Sequence, residues 1–330
     1  MTAPRSPIAC LGAGRMGRGI AVAFAYAGHA VTMIDVKSRP AEQFAQLHTE
    51  AMAEVKKTLT SLSRFGLLAD TDAETIVERI TVVPASHSTI ALAGAGIVFE
   101  GVPEILDLKR EVLGAASRSV GPEIVLASTT STILVDELSD AIEHPHRFLN
   151  VHWLNPAYLI PLVEISPGKV TDPGVTAQVK ALLEGIGKVP VVCAATPGFI
   201  VPRIQALAMN EAARLVEEGV ASAADIDKAV KYGFAVRFAN LGLLEFIDYG
   251  GGDILYHASR YLAGALGSER YAAPSIIERN MREGNIGLRT GRGFLDYAGL
   301  DIDAYRRERL MGLVNTLTSM RLLRPPRLEG

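Results

Sequence analysis

Short apolar, β-branched runs alternate with helix-period segments through the first half of the chain. Residues 8–11, 30–34, 80–83, 97–99 and 124–127 read as strands, and 148–152, 162–165 and 189–193 follow. Between them, residues 15–27, 106–117 and 175–187 place apolar side chains at helical spacing. Residues 41–68 read as a helical pair broken near Gly66 rather than as a single crossover. Such alternation predicts a doubly wound, mostly parallel sheet with helices on both faces. Beyond Thr196-Pro197-Gly198 the strand signals stop. Residues 199–219, 223–232, 243–266, 273–283 and 301–320 read as helices punctuated by glycines and Ser222. The expected organisation is an α/β domain over residues 1–196 and an all-helical domain over 197–330, with 323–330 a loose tail.

Composition narrows the function. A length of 330 residues suits about two domains. Hydrophobic residues at 48% and charged residues at 21% suit a soluble globular protein. A net charge of −3 gives no support to nucleic-acid binding. No run reaches the roughly 18–20 apolar residues of a membrane helix. Residues 1–7 lack a signal-peptide layout, so a cytoplasmic protein is expected. Cys10 and Cys193 lie in strand-like runs and read as buried free thiols. No metal site is expected.

The run Gly12-Ala13-Gly14-Arg15-Met16-Gly17 follows an apolar strand, opens a helix, and precedes a second strand ending at Asp35. That order, more than the glycines themselves, marks a Rossmann-type dinucleotide cradle. Gly12 allows the tight turn, Gly14 the close approach of a pyrophosphate, and Gly17 the packing of helix on sheet. Backbone N–H groups at the helix start then face the phosphates. Asp35 is placed to accept from an adenosine ribose and to repel a 2′-phosphate. NAD is therefore favoured over NADP, with Lys37 and Arg39 close by as a counterweight. The cradle alone does not separate NAD from a flavin.

Two further groups carry candidate chemistry. His152 closes a β-rich run, and Glu164 sits inside the short apolar run Leu162-Val163-Glu164-Ile165. A carboxylate there needs a partner. If the two strands are neighbours, Glu164 holds the imidazole Nδ1–H and leaves Nε2 as the proton acceptor. The alternative is a structural histidine and an edge-strand acid. Ser128-Thr129-Thr130-Ser131-Thr132 follows a parallel strand, where ligand crevices form. Local capping of the next helix is the other use of such hydroxyls.

These residues resemble, in order, the L-3-hydroxyacyl-CoA dehydrogenase family. The match runs through Gly12-x-Gly14-x-x-Gly17, Asp35, Ser131, His152-x-x-Asn155-Pro156, Glu164 and Thr196-Pro197-Gly198-Phe199-Ile200. Thr290-Gly291-Arg292-Gly293-Phe294 looks like the family's closing TGxGF motif, so the likeness spans roughly residues 7–300. It implies a nicotinamide dehydrogenase with His152 as general base and Glu164 as its orienter. Ser131 and Asn155 would bond the substrate oxygen and the nicotinamide end of the site. Glu104 and Lys109 match positions near the cofactor ribose, and Arg289 stands where a lysine near the cofactor is usual. The resemblance also implies a homodimer formed through the helical domain.

Two departures shift the expected substrate. The family's usual asparagine is Pro202 here, so one polar contact is missing. The stretch 233–242 is longer than in acyl-CoA members and carries Arg237. In that it resembles the branch containing L-gulonate 3-dehydrogenase and carnitine dehydrogenase. A guanidinium at Arg237 would grip a free carboxylate, though a surface ion pair is the plainer use. The expected substrate is a small free 3-hydroxy acid, with a short 3-hydroxyacyl-CoA such as 3-hydroxybutyryl-CoA as the alternative. Pro202 also leaves room for a dinucleotide-binding protein without turnover. Trp153 and Tyr158 either line a pocket or belong to the core. The active site is expected between the two domains.

Overall fold

The computed structural model describes residues 5–326. The chain divides into two compact units, Met1–Ala208 and Met209–Gly330, and the division falls inside a helix, Val201–Glu217.

In the first unit eight strands form one sheet. They are β1 (Ile8–Leu11), β2 (Val31–Ile34), β3 (Ile80–Val83), β4 (Ile97–Glu100), β5 (Val125–Ser128), β6 (Phe148–Trp153), β7 (Leu162–Pro167) and β8 (Val189–Val192), in the order β3-β2-β1-β4-β5-β6-β7-β8. Side chains alternate between two cores, as a strand's period of two requires. Ile8, Cys10, Phe99, Val151 and Trp153 pack on one face with Phe24. Ala9, Leu11, Val98, Leu126 and Phe148 pack on the other with Leu113. Because both faces are covered, β1, β4 and β5 are buried at every position. The strand order reverses direction between β1 and β4, the switch point where open α/β sheets bind ligands.

Helices fill the connections: α1 (Arg15–Tyr26), α2 (Ala41–Arg64), α3 (Asp70–Glu78), α4 (Ser88–Ala93), α5 (Leu106–Ser117), α6 (Val135–Ser139), α7 (Pro173–Gly185) and α8 (Val201–Glu217). The break near Gly66 is present, with Gly66 at φ +73°. The second helix of the pair, however, begins after it, at Asp70.

One pair of strands departs from the parallel pattern. β6 and β7 are antiparallel, with His152 opposite Glu164. Eight residues join them, fewer than the dozen or so a parallel crossover needs. That short return brings an acid and an imidazole, distant in the chain by ordinary contact standards, onto neighbouring strands.

The second unit is helical. Its helices include Ala223–Ala229, Ser275–Glu283 and Ile302–Ser319, with a π-helical stretch at Val230–Ala235. The expected single helix over 243–266 is two, Leu243–Gly250 and Gly252–Leu266. Gly251 at φ +109° separates them, a conformation that glycine alone adopts freely. The break has a purpose in packing. Asp248, almost fully buried, accepts from the backbone N–H of Phe294 (2.9 Å) and Leu295 (2.8 Å) and from the Tyr297 hydroxyl (3.2 Å). A Cβ at Gly293 would lie 2.1 Å from that carboxylate. The Thr290–Phe294 motif is thus a loop wrapped on a buried acid.

Candidate active site

The glycine run has the geometry that a dinucleotide cradle requires. Gly12 adopts φ +106°. A Cβ at Gly17 would sit 2.0 Å from the Gly12 carbonyl oxygen, so a side chain there would push α1 off the loop. At Gly14 a Cβ would meet no heavy atom within 4 Å. The space in front of the α1 N-terminus is therefore open, and Gly14 is what keeps it so. The first-turn N–H groups of a helix lack intrahelical partners and favour anions. Asp35 follows β2 and is 4% exposed. Its carboxylate accepts from Arg39 Nε (2.7 Å) and from the Lys37 backbone N–H (3.2 Å). Arg39 is thereby occupied by the acid it was weighed against. These residues fit an NAD with its pyrophosphate at α1 and its adenosine ribose toward Asp35.

An open cavity of about 510 Å³ adjoins the cradle. Arg15 and Met16 border it from the start of α1, Gly101 and Glu104 from the β4–α5 connection, and Lys109 from the first turn of α5. Ser131, His152 and Asn155 complete the wall, with Pro202 and Gln205 of α8. Nine residues singled out from sequence therefore share one cavity, Trp153 and Pro202 among them. Arg237 and Arg289 do not belong to that set; both lie in the second unit. Arg289 is paired with Asp253 at 2.6 Å. Arg237 donates from Nε to the Gly233 carbonyl (2.6 Å) and rests its guanidinium over the Phe246 ring at 5.2 Å.

His152 Nδ1 lies 2.7 Å from Glu164 Oε2. An ionised carboxylate can only accept, so the Nδ1 proton stays on the ring side and Nε2 is left as the acceptor. Glu164 does more than brace the ring. Its other oxygen accepts from the backbone N–H groups of Ile200 (2.9 Å) and Val201 (2.8 Å), at the start of α8. Phe199, immediately before, stacks on the imidazole with centroids 5.5 Å apart. It does so at φ +44°, a costly value for a non-glycine residue that clusters at functional sites. The sequence motif was legible, but its link to Glu164 was not.

The hydroxyl run is organised by a second acid system. Glu104 Oε1 accepts from Thr130 Oγ1 (2.5 Å), the backbone N–H and hydroxyl of Ser131 (2.9 and 3.3 Å), and those of Thr132 (both 3.0 Å). Burial pushes the Glu104 carboxyl up. The Thr130 hydroxyl, Lys109 and the remaining donors outweigh it and hold the group down at about 2. Lys109 stands 3.4 Å from Glu104 and 2.9 Å from Glu100, and is itself buried. Glu100, wholly buried, also accepts from Ser128 Oγ (2.6 Å) and the Val102 N–H (2.6 Å). Sequence reasoning missed Glu100. The signal was present: an acid ending the apolar run Ile97-Val98-Phe99, the same anomaly that flagged Glu164.

Trp153 belongs to the core, packed between Phe24 and Phe99 with centroids 5.9 Å from each. Tyr158 lines a neighbouring cavity of about 330 Å³ beside α1 and α2. Both cysteines are free; Cys10 is buried but Cys193 is half-buried.

Fold and site together are those of an NAD-dependent dehydrogenase. The profile described as 3-hydroxyacyl-CoA dehydrogenase, NAD binding domain, matches residues 7–196, and that of the 3-hydroxyacyl-CoA dehydrogenase C-terminal domain matches 198–297. The chain belongs to the 3-hydroxyacyl-CoA dehydrogenase family. It is 30% identical to 5-formyl-3-hydroxy-2-methylpyridine 4-carboxylate 5-dehydrogenase of Mesorhizobium japonicum, over 93% of this chain and 96% of that protein. It is 32% identical to a probable 3-hydroxybutyryl-CoA dehydrogenase of Bacillus subtilis, over 87% and 95%. A solved 3-hydroxyacyl-CoA dehydrogenase from Archaeoglobus fulgidus superposes with a TM-score of 0.76 at 31% identity, covering 97% of this chain and all of that one.

Proposed function

We propose that the protein reversibly oxidises the 3-hydroxyl of a small free 3-hydroxy acid, with Arg237 as the residue that takes the carboxylate. The carrying observation is the His152–Glu164 pair at 2.7 Å, on the wall of the cavity that adjoins the glycine cradle. His152 Nε2 removes the hydroxyl proton. Glu164 fixes the tautomer and stabilises the imidazolium that results. NAD, when bound, supplies the hydride acceptor. Ser131 and Asn155 hydrogen-bond the substrate oxygen and orient it toward the ring, and Glu104 and Lys109 face the cofactor ribose. Arg289 serves the cofactor as well.

The free acid is supported by Arg237, which has no carboxylate partner among the described residues and keeps its outer nitrogens for a ligand. A relative named for a pyridine carboxylate supports it too. The second reading, a short 3-hydroxyacyl-CoA, rests on the relatives named 3-hydroxybutyryl-CoA dehydrogenase. A homodimer is part of the proposal. Its support is the exposed apolar surface of the helical unit, including Leu244, Ile254, Tyr261 and Leu310. No described helix is long and apolar enough to cross a membrane, and we assign the enzyme to the cytoplasm.

NADH formation with free 3-hydroxy acids and with their CoA thioesters tests the assignment. The parent should turn over free acids, and Arg237→Ala should raise KM for them by about tenfold or more, as loss of a charged hydrogen bond implies. Turnover of thioesters alone, unchanged by the substitution, would establish the second reading instead.

A further inference from the structure

The cavity wall contributed by α8 has two members, Pro202 and Gln205. They stand three residues apart, so a helix carries them on one face, one above the other. Pro202 offers an apolar ring with no N–H. Gln205 offers a primary amide, with both a donor and an acceptor, and that amide makes no hydrogen bond among the described residues. Of the other polar groups on this wall, Glu104 is engaged by three hydroxyl residues, Lys109 by Glu100 and His152 by Glu164, while Arg15 and Asn155 share with Gln205 the lack of a side-chain partner among the described residues.

The Gln205 side chain is exposed, but the backbone at the start of its helix is held. Glu164 holds His152 through one oxygen and the first N–H groups of the α8 segment through the other. The helix face bearing residues 202 and 205 is therefore registered on the imidazole by a single carboxylate.

We infer that Gln205 is a substrate-contacting residue: its side-chain amide hydrogen-bonds the C1 oxygen of the substrate, an oxygen that both the free acid and the thioester possess. This rests on the reaction proposed above. It assigns to Gln205 the polar contact that Pro202 does not make. It also names the substrate atom held on the α8 side, two carbons from the carbinol that His152 deprotonates.

The test uses the full chain and whichever substrate the parent turns over. Gln205→Leu keeps the side-chain volume and helix propensity but removes the amide. Its kcat/KM should fall about tenfold or more, while the NADH dissociation constant, read by fluorescence, and the melting temperature stay at the parent values. Restoring an amide on the same face, as Pro202→Asn in the Gln205→Leu background, should recover most of the loss. An unchanged kcat/KM in Gln205→Leu overturns the inference. So does a loss accompanied by equally weakened NADH binding, which would make Gln205 a cofactor contact. A parent that binds NADH but oxidises no 3-hydroxy compound sinks the proposed reaction itself, a result distinguishable from either.

Discussion

Two buried glutamates of one sheet invite comparison. Glu164 lies within β7 and Glu100 ends β4; neither is more than 1% exposed. Each collects backbone and side-chain donors. What differs is the principal partner. Glu164 holds an imidazole, whose second ring nitrogen is left free to accept. Glu100 holds a lysine that is itself 1% exposed and fixed by the Val102 carbonyl at 3.1 Å. The first pair faces the cavity and can do chemistry. The second is buried, with only Lys109 reaching the cavity lining, and it sets the position of Lys109 and, through Lys109, of Glu104. The same residue type in the same kind of strand holds an imidazole on the cavity wall in one place and a buried lysine in the other, and the partner decides what each can do.

The sharpest way to break that contrast is His152→Ala. Loss of a general base should lower kcat by about 10³-fold, with melting temperature and NADH binding near parent values. A fall in stability equal to the fall in rate would make the imidazole a structural group. Glu100→Ala should do the reverse. It takes from buried Lys109 its nearest carboxylate and leaves it only Glu104 at 3.4 Å and the Val102 carbonyl, a defect of up to about 3–5 kcal/mol, read by denaturant melts. Glu100→Leu combined with Lys109→Met should restore much of that stability; if it does not, the pair is not primarily architectural.

Glu164→Gln is expected to come next. The amide oxygen can still accept from Ile200 and Val201, but its NH₂ cannot accept the Nδ1 proton. The kcat should fall about 10²-fold with α8 still docked, as an almost unchanged melting temperature would report. The smallest effect concerns Glu104. Its carboxyl is held at about 2, below the ordinary 4.5. A depressed acid contributes stability above about pH 4.5, and that contribution is lost as pH falls through about 2. Glu104→Gln should therefore be less stable than the parent at pH 6, with the gap closing over that acid range. A gap independent of pH would mean the hydroxyl contacts, not the charge, carry the effect.

Much of the first unit was legible in sequence. Every strand run appears in the sheet within a residue or two, because buried β-branched runs bounded by glycine admit few other readings. The residues lining the cavity were legible for different reasons: Arg15 and Met16 through the glycine run, His152 through its pairing with an acid in an apolar run, and Ser131, Asn155, Glu104 and Lys109 through the family resemblance. Three features escaped. The β6–β7 antiparallel return is decided by connection length rather than by pattern. The split of residues 243–266 is imposed by Asp248 and the distant loop that closes on it, a contact no local window contains. Glu100 escaped because the resemblance drew attention to Glu104 and Lys109, while the acid that ends the apolar run before them was passed over.

The double engagement of Glu164 has a consequence for how this enzyme can be altered. A designer who moves the acid to a neighbouring strand, to retune the base, also unfastens the first turn of α8, and with it the stack of Phe199 on the ring. A replacement at position 164 must therefore answer two demands at once, an acceptor for the ring and an acceptor for the opening N–H groups of the next helix.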